Sequence, residues 1–238
     1  MNERVLIFIS GPVGAGKTTF SAALLSLMFR KGYKVCYRSL TAFPLFSYIF
    51  FKLAAMLFYG LKVVRHHEKV RIHPSTLFIL RIKSMPKPVI VLLMLLESLS
   101  VGLSFYFKII STCINRKVII VDEGFLNMVA NYIEVFGRRS AFLIALIAIL
   151  IQKLQKRFRL TIIYLDAADN ILLERWVARG YPATTPIVDM KYHLKYVHLI
   201  RFSKTLISSV APLIKLNTNE KQSLLLNECI EKLTVLDG

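Results

Sequence analysis

Gly11-Pro12-Val13-Gly14-Ala15-Gly16-Lys17-Thr18 satisfies the pattern GxxxxGK[ST] at every required position. The glycines let the backbone curl so that successive amides point inward at phosphate oxygens. A helix opening near Thr18 adds its positive dipole end. In this pattern Gly11, Val13, Gly14, Ala15, Gly16, Lys17, Thr18 and Thr19 cradle the phosphates of ATP, Lys17 reaches the β- and γ-phosphates, and the Thr18 hydroxyl sits on Mg2+. A second group is Asp122-Glu123, directly after the apolar run Val118 to Val121. A carboxylate there can hold magnesium against the phosphates, directly or through water. Glu123 could orient a nucleophile, bind a substrate hydroxyl or cap the following helix. Arg175 and Arg179 form the third group. Their spacing of four puts both on one helix face, where they would stabilise charge on a transferred phosphoryl group, the loop itself holding no arginine.

The elements that must position these groups alternate in type. Val5 to Ile9 is short, apolar and β-branched and reads as a buried parallel strand, not a signal peptide, because it runs straight into the glycine loop. Thr18 to Lys31 has helical spacing and stops at Gly32. Lys34 to Leu40, Val118 to Val121, Leu160 to Leu165 and Ile214 to Leu216 are further strands. Ala141 to Ile151, Asp169 to Arg179, Met190 to Val210 and Lys221 to Leu233 are helices. This order predicts an α/β fold: a doubly wound, parallel, five-stranded sheet of the P-loop NTPase type in one domain, 1–238, with ligands at the carboxyl ends of the strands. A hydrophobic helical insertion, 43–114, lies within it, and a lid-like segment spans 175–190.

Composition narrows the partners. Apolar residues make up 55% of the chain, above the roughly 45–50% of ordinary soluble domains. The net charge of +18 favours anionic partners such as nucleotides and lipid headgroups. Nucleic acid is disfavoured, since the basic segments lack the interleaved aromatics of a recognisable module. Cys36, Cys113 and Cys229 are far apart and form no CxxC pair. They read as reduced thiols of a cytoplasmic protein.

Three segments resemble the nucleoside-monophosphate kinase branch of the P-loop kinases, and thymidylate kinase most: GPVGAGKTT at 11–19, VIIVDEG at 118–124 and YLDAADNILLERWVARG at 164–180. The resemblance implies ATP-dependent phosphoryl transfer to a nucleoside monophosphate or related phosphate. It assigns Lys17, Arg175 and Arg179 to the transferred phosphate and Asp122 to the metal or acceptor. Asn217 and Thr218 would lie near the adenine.

Phe43 to Val64 and Pro88 to Ile114 are each long enough to cross a bilayer, which needs about 20 residues. The basic stretch between them, 65–88, argues for the cytoplasmic side instead, and Glu97 and Lys108 would be costly at membrane depth. Two placements follow: an oily substrate domain or homodimer interface, or a monotopic hairpin on an anionic cytoplasmic leaflet, which the charge favours. The apolar insertion also opens two alternatives, a kinase of a lipid-linked or sugar phosphate and a non-catalytic ATP-binding protein at the membrane surface.

Overall fold

Five short runs become five parallel strands, the inner three buried on both faces and the outer two partly exposed: β1 (Val5–Ser10), β2 (Val35–Ser39), β3 (Val118–Asp122), β4 (Arg159–Asp166) and β5 (Leu213–Asn217). The computed structural model describes residues 4–40, 42–59, 85–111, 117–179, 190–219 and 222–235. Most of the basic stretch 65–88 and residues 180–189 of the lid-like segment lie outside them. The strand order is β2-β3-β1-β4-β5, the five-stranded doubly wound sheet expected from the sequence.

The register pairs Ile9 with Asp122, Ser10 with Tyr164 and Asp166 with Asn217, so all the strands end on one rim. The chain reverses its winding at β1, with β3 on one side and β4 on the other. The crevice at such a switch point is where α/β sheets take ligands.

Successive side chains of β1 feed two different cores, because they point to opposite faces of the sheet. Ile7 and Ile9 pack with Phe20 and Leu24 of α1 (Lys17–Arg30), Leu172 of α6 (Asp169–Val177) and Leu225 of α8 (Gln222–Val235). Leu6 and Phe8 pack on the opposite face, under α2 (Leu45–Tyr59), α3 (Lys87–Phe105), α4 (Phe125–Phe136), α5 (Ala141–Gln155) and α7 (Met190–Ser208).

Helix α4 is the element that sequence reasoning missed. The first helix read after β3 was Ala141 to Ile151, whereas α4 comes before it. Ten of its residues are buried, Asn127 and Glu134 among them. Its polar residues Asn127, Asn131 and Glu134 do fall at helical spacing; what it lacks is a start signal, with Gly124 as N-cap and no acid in its first turn.

The oily region is tied into the domain. One stripe of α3, including Ile90, Leu93, Glu97, Val101 and Phe105, is buried at helical spacing. The Phe105 ring stacks on Phe125 at 6.1 Å and lies 6.4 Å from Phe8 of β1. The buried Glu97 Oε1 accepts the Phe43 N–H at 2.9 Å and the Tyr132 hydroxyl at 2.5 Å. Phe43 has φ 52, an unusual conformation for a bulky residue, and the Glu97 bond holds it at the entry to α2. Burial pushes the Glu97 carboxyl above its ordinary value, with the Ser47, Tyr132 and Phe43 hydrogen bonds opposing. By length and composition Lys87–Ser111 passes as a membrane-crossing helix, but its inner stripe is committed to protein.

Cys36 is disulfide-bonded, which corrects the reduced-thiol expectation there. Separation along the sequence does not show which thiols a fold brings together. Cys229 is a free, buried thiol, and Cys113 lies outside the described residues.

Candidate active site

The glycine loop lies at the switch point, pressed against the carboxyl ends of its neighbours. A Cβ on Gly11, at φ +152, would stand 2.2 Å from the Leu165 carbonyl oxygen, and one on Gly14 would stand 2.9 Å from that of Leu172. No side chain fits at the first position without moving β4. Gly16, at φ 78, is the N-cap of α1, with no side-chain cap, so the first amides of α1 are left for a ligand.

Asn127 of α4, which the sequence did not single out, clamps this loop. Its Oδ1 accepts the Gly11 N–H at 3.3 Å and its Nδ2 donates to the Gly11 carbonyl at 3.1 Å. Both bonds are buried, so they satisfy backbone groups that water cannot reach. Lys17 folds back over the loop and donates to the Gly11 and Pro12 carbonyls at 2.9 and 3.1 Å. Burial pulls its ammonium below the ordinary value, with Glu123 and Asp122 opposing and Arg179 adding to the fall. Glu123, Asp122 and Arg179 are thus near enough to Lys17 to act on its charge.

Asp122, at the tip of β3, is held from two sides. Its Oδ2 accepts the Tyr37 hydroxyl at 2.9 Å and its Oδ1 accepts the Glu123 N–H at 2.9 Å. Burial pushes the Tyr37 phenol up to about 12, with the Asp122 hydrogen bond and charge adding. Tyr37 on β2 was another omission, since nothing in a lone tyrosine on a short strand marks it as an orienting group. Glu123 sits at φ 57 and is exposed on one side. Protein packed around its other side pushes its carboxyl up, with Lys17 opposing and Asp122 adding. The N-cap of α4 is Gly124, without a side-chain cap, so the capping reading of Glu123 is not seen. A Cβ on Gly124 would meet Phe8 and Ser10 at 2.9 Å, which explains a glycine next to two carboxylates.

The two arginines part company. Arg175 Nη1 donates to the Gly14 carbonyl at 3.1 Å and to Thr218 Oγ1 at 3.4 Å, and its Nη2 donates to the Thr218 carbonyl at 3.0 Å. It straps the glycine loop to the loop after β5. Arg179, one turn on, is exposed and coupled to Lys17. Thr218 is itself fixed to Asp166, its N–H and hydroxyl reaching that carbonyl at 2.7 and 3.0 Å. Arg201 of α7 ion-pairs with Asp166 at 3.2 Å and Asp169 at 2.6 Å, bracing the same corner. Beneath it the buried His193 ring stacks on Trp176 at 4.6 Å. Burial pushes that imidazole down to about 4, with Asp169 opposing.

Beside the loop opens a cavity of about 420 Å³, with Gly14, Ala15, Gly16 and Thr19 on one wall and Arg175, Arg179 and Thr218 on another. Phe20, Ala178 and Leu225 supply apolar surface. Thr218 of the last loop lines this cavity, whereas Asn217 is exposed and accepts the Asn219 N–H at 3.2 Å. Asp122 and the exposed Thr18 hydroxyl are the oxygen donors expected to serve Mg2+. Hard oxygen ligands fit that ion, which is held by one or two protein groups together with phosphates and water. Among the described residues no group of three or more potential ligands forms a metal cage.

Among solved structures the chain resembles deoxyadenosine kinase from M. mycoides with bound dATP, with a TM-score of 0.53, 14% identity, and coverage of 97% of this chain and 100% of that one. A second structure of the M. mycoides enzyme, with the products dCMP and a flexible dCDP, matches with a TM-score of 0.50, 16% identity and the same 97% and 100% coverage. The fold is that of a P-loop kinase. No family model matches the chain, and no curated protein matches it.

Proposed function

We propose that this chain is an ATP-dependent kinase that transfers the terminal phosphate of Mg-ATP to a nucleoside or nucleoside monophosphate. The observation that carries the reading is the glycine loop at the switch point, with Lys17 folded over it and a cavity beside it lined by Gly14, Gly16, Thr19, Arg175 and Arg179; Asp122 and Glu123 act on the same lysine. The resemblance to deoxyadenosine kinase supports the nucleoside class of acceptor, and the thymidylate kinase-like motifs support a monophosphate. In this reading the cytoplasm is the working compartment.

The acceptor oxygen attacks the γ-phosphorus. The bond from that phosphorus to the β-phosphate bridging oxygen breaks, and ADP leaves. Thr18 and Asp122 would hold Mg2+, which would neutralise phosphate charge. Lys17 exchanges its loop carbonyls for the β- and γ-phosphates. Arg179 meets the charge that develops on the transferred group. Asp122, aimed by Tyr37, serves the metal or the acceptor. For a hydroxyl acceptor Glu123 takes the proton, since a carboxyl raised above its ordinary value is better matched to that task near neutral pH.

The test is ADP release from Mg-ATP against a panel of deoxynucleosides and nucleoside monophosphates. Acceptor-dependent release in plain buffer with one class is the expected result. Tight ATP binding with no acceptor-dependent release across the whole panel overturns the kinase reading.

A further inference from the structure

The buried stripe of α3 leaves an equally apolar outer stripe. Val91, Leu92, Leu95 and Leu99 are each more than half exposed. Helices α2 and α5 both pack against α3. Both continue the surface, α2 with Ile49, Leu53 and the 86% exposed Leu57, and α5 with Phe142 and Ile149. Folded soluble domains rarely leave so many large apolar side chains exposed on one set of packed helices.

The charge around this face has a single sign. Helix α3 carries Lys87 at its start, and Lys108 follows in the π-helical turn Tyr106–Ser111. Helix α5 is preceded by Arg138 and Arg139, carries Lys153 in its last turn and is followed by Lys156 and Arg157. The only acid on these elements is Glu97, which is fully buried. A second copy of the chain would bring the same cations against these, and like charges across an interface oppose association. An anionic surface would be attracted. A cavity of about 230 Å³ between α3, α4 and α5 is lined by Val101, Tyr132, Leu146, Ile147 and Leu150, with Lys153 among the lining residues. It combines room for part of an acyl chain with a cation for an anionic headgroup.

We propose that the outer face of α2, α3 and α5 docks on an anionic lipid bilayer, with the helices lying in the plane of the leaflet and the flanking lysines and arginines at headgroup level. An in-plane helix buries one face in lipid and needs only that face apolar. That suits α3, whose other face is packed on Phe8, Phe125 and Tyr132. This inference goes beyond the kinase reading and stands independently of it.

The experiment is cosedimentation of the purified full chain with vesicles of phosphatidylcholine, with and without phosphatidylglycerol. Binding is expected with phosphatidylglycerol, and it should weaken as salt rises. Combined Lys153→Ser, Lys156→Ser and Arg157→Ser should weaken it about 100-fold, at about 1 kcal/mol per cation. Combined Leu95→Gln and Leu99→Gln should weaken it about tenfold or more, with thermal melting and ATP binding retained. If that variant melts early, the cation variant carries the test. The proposal is overturned by no vesicle binding, by equal binding to neutral vesicles, or by a dimer in buffer that the Leu95/Leu99 variant breaks.

Discussion

Truncating Arg175 tests whether two arginines one turn apart do different work. Arg175→Ala removes three hydrogen bonds from a guanidinium to Gly14 and Thr218. Hydrogen bonds to a charged group contribute roughly 1.5–3 kcal/mol each when buried. Arg175 is only half-buried, so solvent screening brings the joint loss to about 2 kcal/mol. For a chain of this size that lowers Tm by about 4–8 °C. Because the strap joins two walls of the nucleotide cavity, the same energy appears as about 30-fold weaker binding of a non-hydrolysable ATP analogue. At saturating ATP, kcat should fall less than about tenfold. Arg179→Ala should do the opposite, with kcat down by about a thousandfold or more and Tm and analogue affinity close to wild type. Differential scanning fluorimetry, titration calorimetry and steady-state kinetics on the two variants decide it. An Arg175→Ala protein with wild-type Tm and affinity but a thousandfold lower kcat would refute the strap, and would return Arg175 to the transferred phosphate, as the motif alone suggested.

Lys17→Ala should abolish measurable turnover while the fold persists, and unchanged phosphoryl transfer would remove the glycine loop from the mechanism. Asn127→Ala strands the buried N–H and carbonyl of Gly11. It should cost about 1–3 kcal/mol, read as a Tm lower by several degrees together with weaker nucleotide binding. His193 binds its proton at about 4 in the fold, below its ordinary value of 6.5. The unfolded chain therefore holds more protons between those values. Stability is complete above about pH 6.5 and falls as pH drops towards 4, by at most about 1.4 kcal/mol per pH unit. His193→Phe should flatten that part of a pH series of denaturant melts, and an unchanged acid slope would show that other groups carry it.

Local chemistry made the first half of the site legible. GxxxxGK[ST] encodes a backbone shape and its ligands within eight consecutive residues, Gly11 to Thr18, and buried parallel strands announce themselves as short β-branched runs. The five-stranded doubly wound parallel sheet followed from those signals. Tyr37 and Asn127 gave none, because each acts across a long stretch of chain, 85 residues to Asp122 and 116 to Gly11. Helix α4 did carry a periodic signal, Asn127, Asn131 and Glu134 on one face, but it opens on Gly124 with no side-chain cap and no acid in its first turn, so nothing marked its start.

The sequence by itself determined that a phosphate-binding loop follows a buried strand, that a carboxylate ends another strand, and that much of the chain is oily and basic. Only the tertiary structure decided that Arg175 braces the glycine loop, because that role depends on the Gly14 and Thr218 groups that distant segments bring to it, while Arg179 lies just past the end of α6. It also decided the nature of the long apolar helix. The pattern of α3 allows a membrane span, but Glu97, Phe105 and the chain entering α2 hold one side of it to the sheet. That side is then protein core, and the opposite side is a surface.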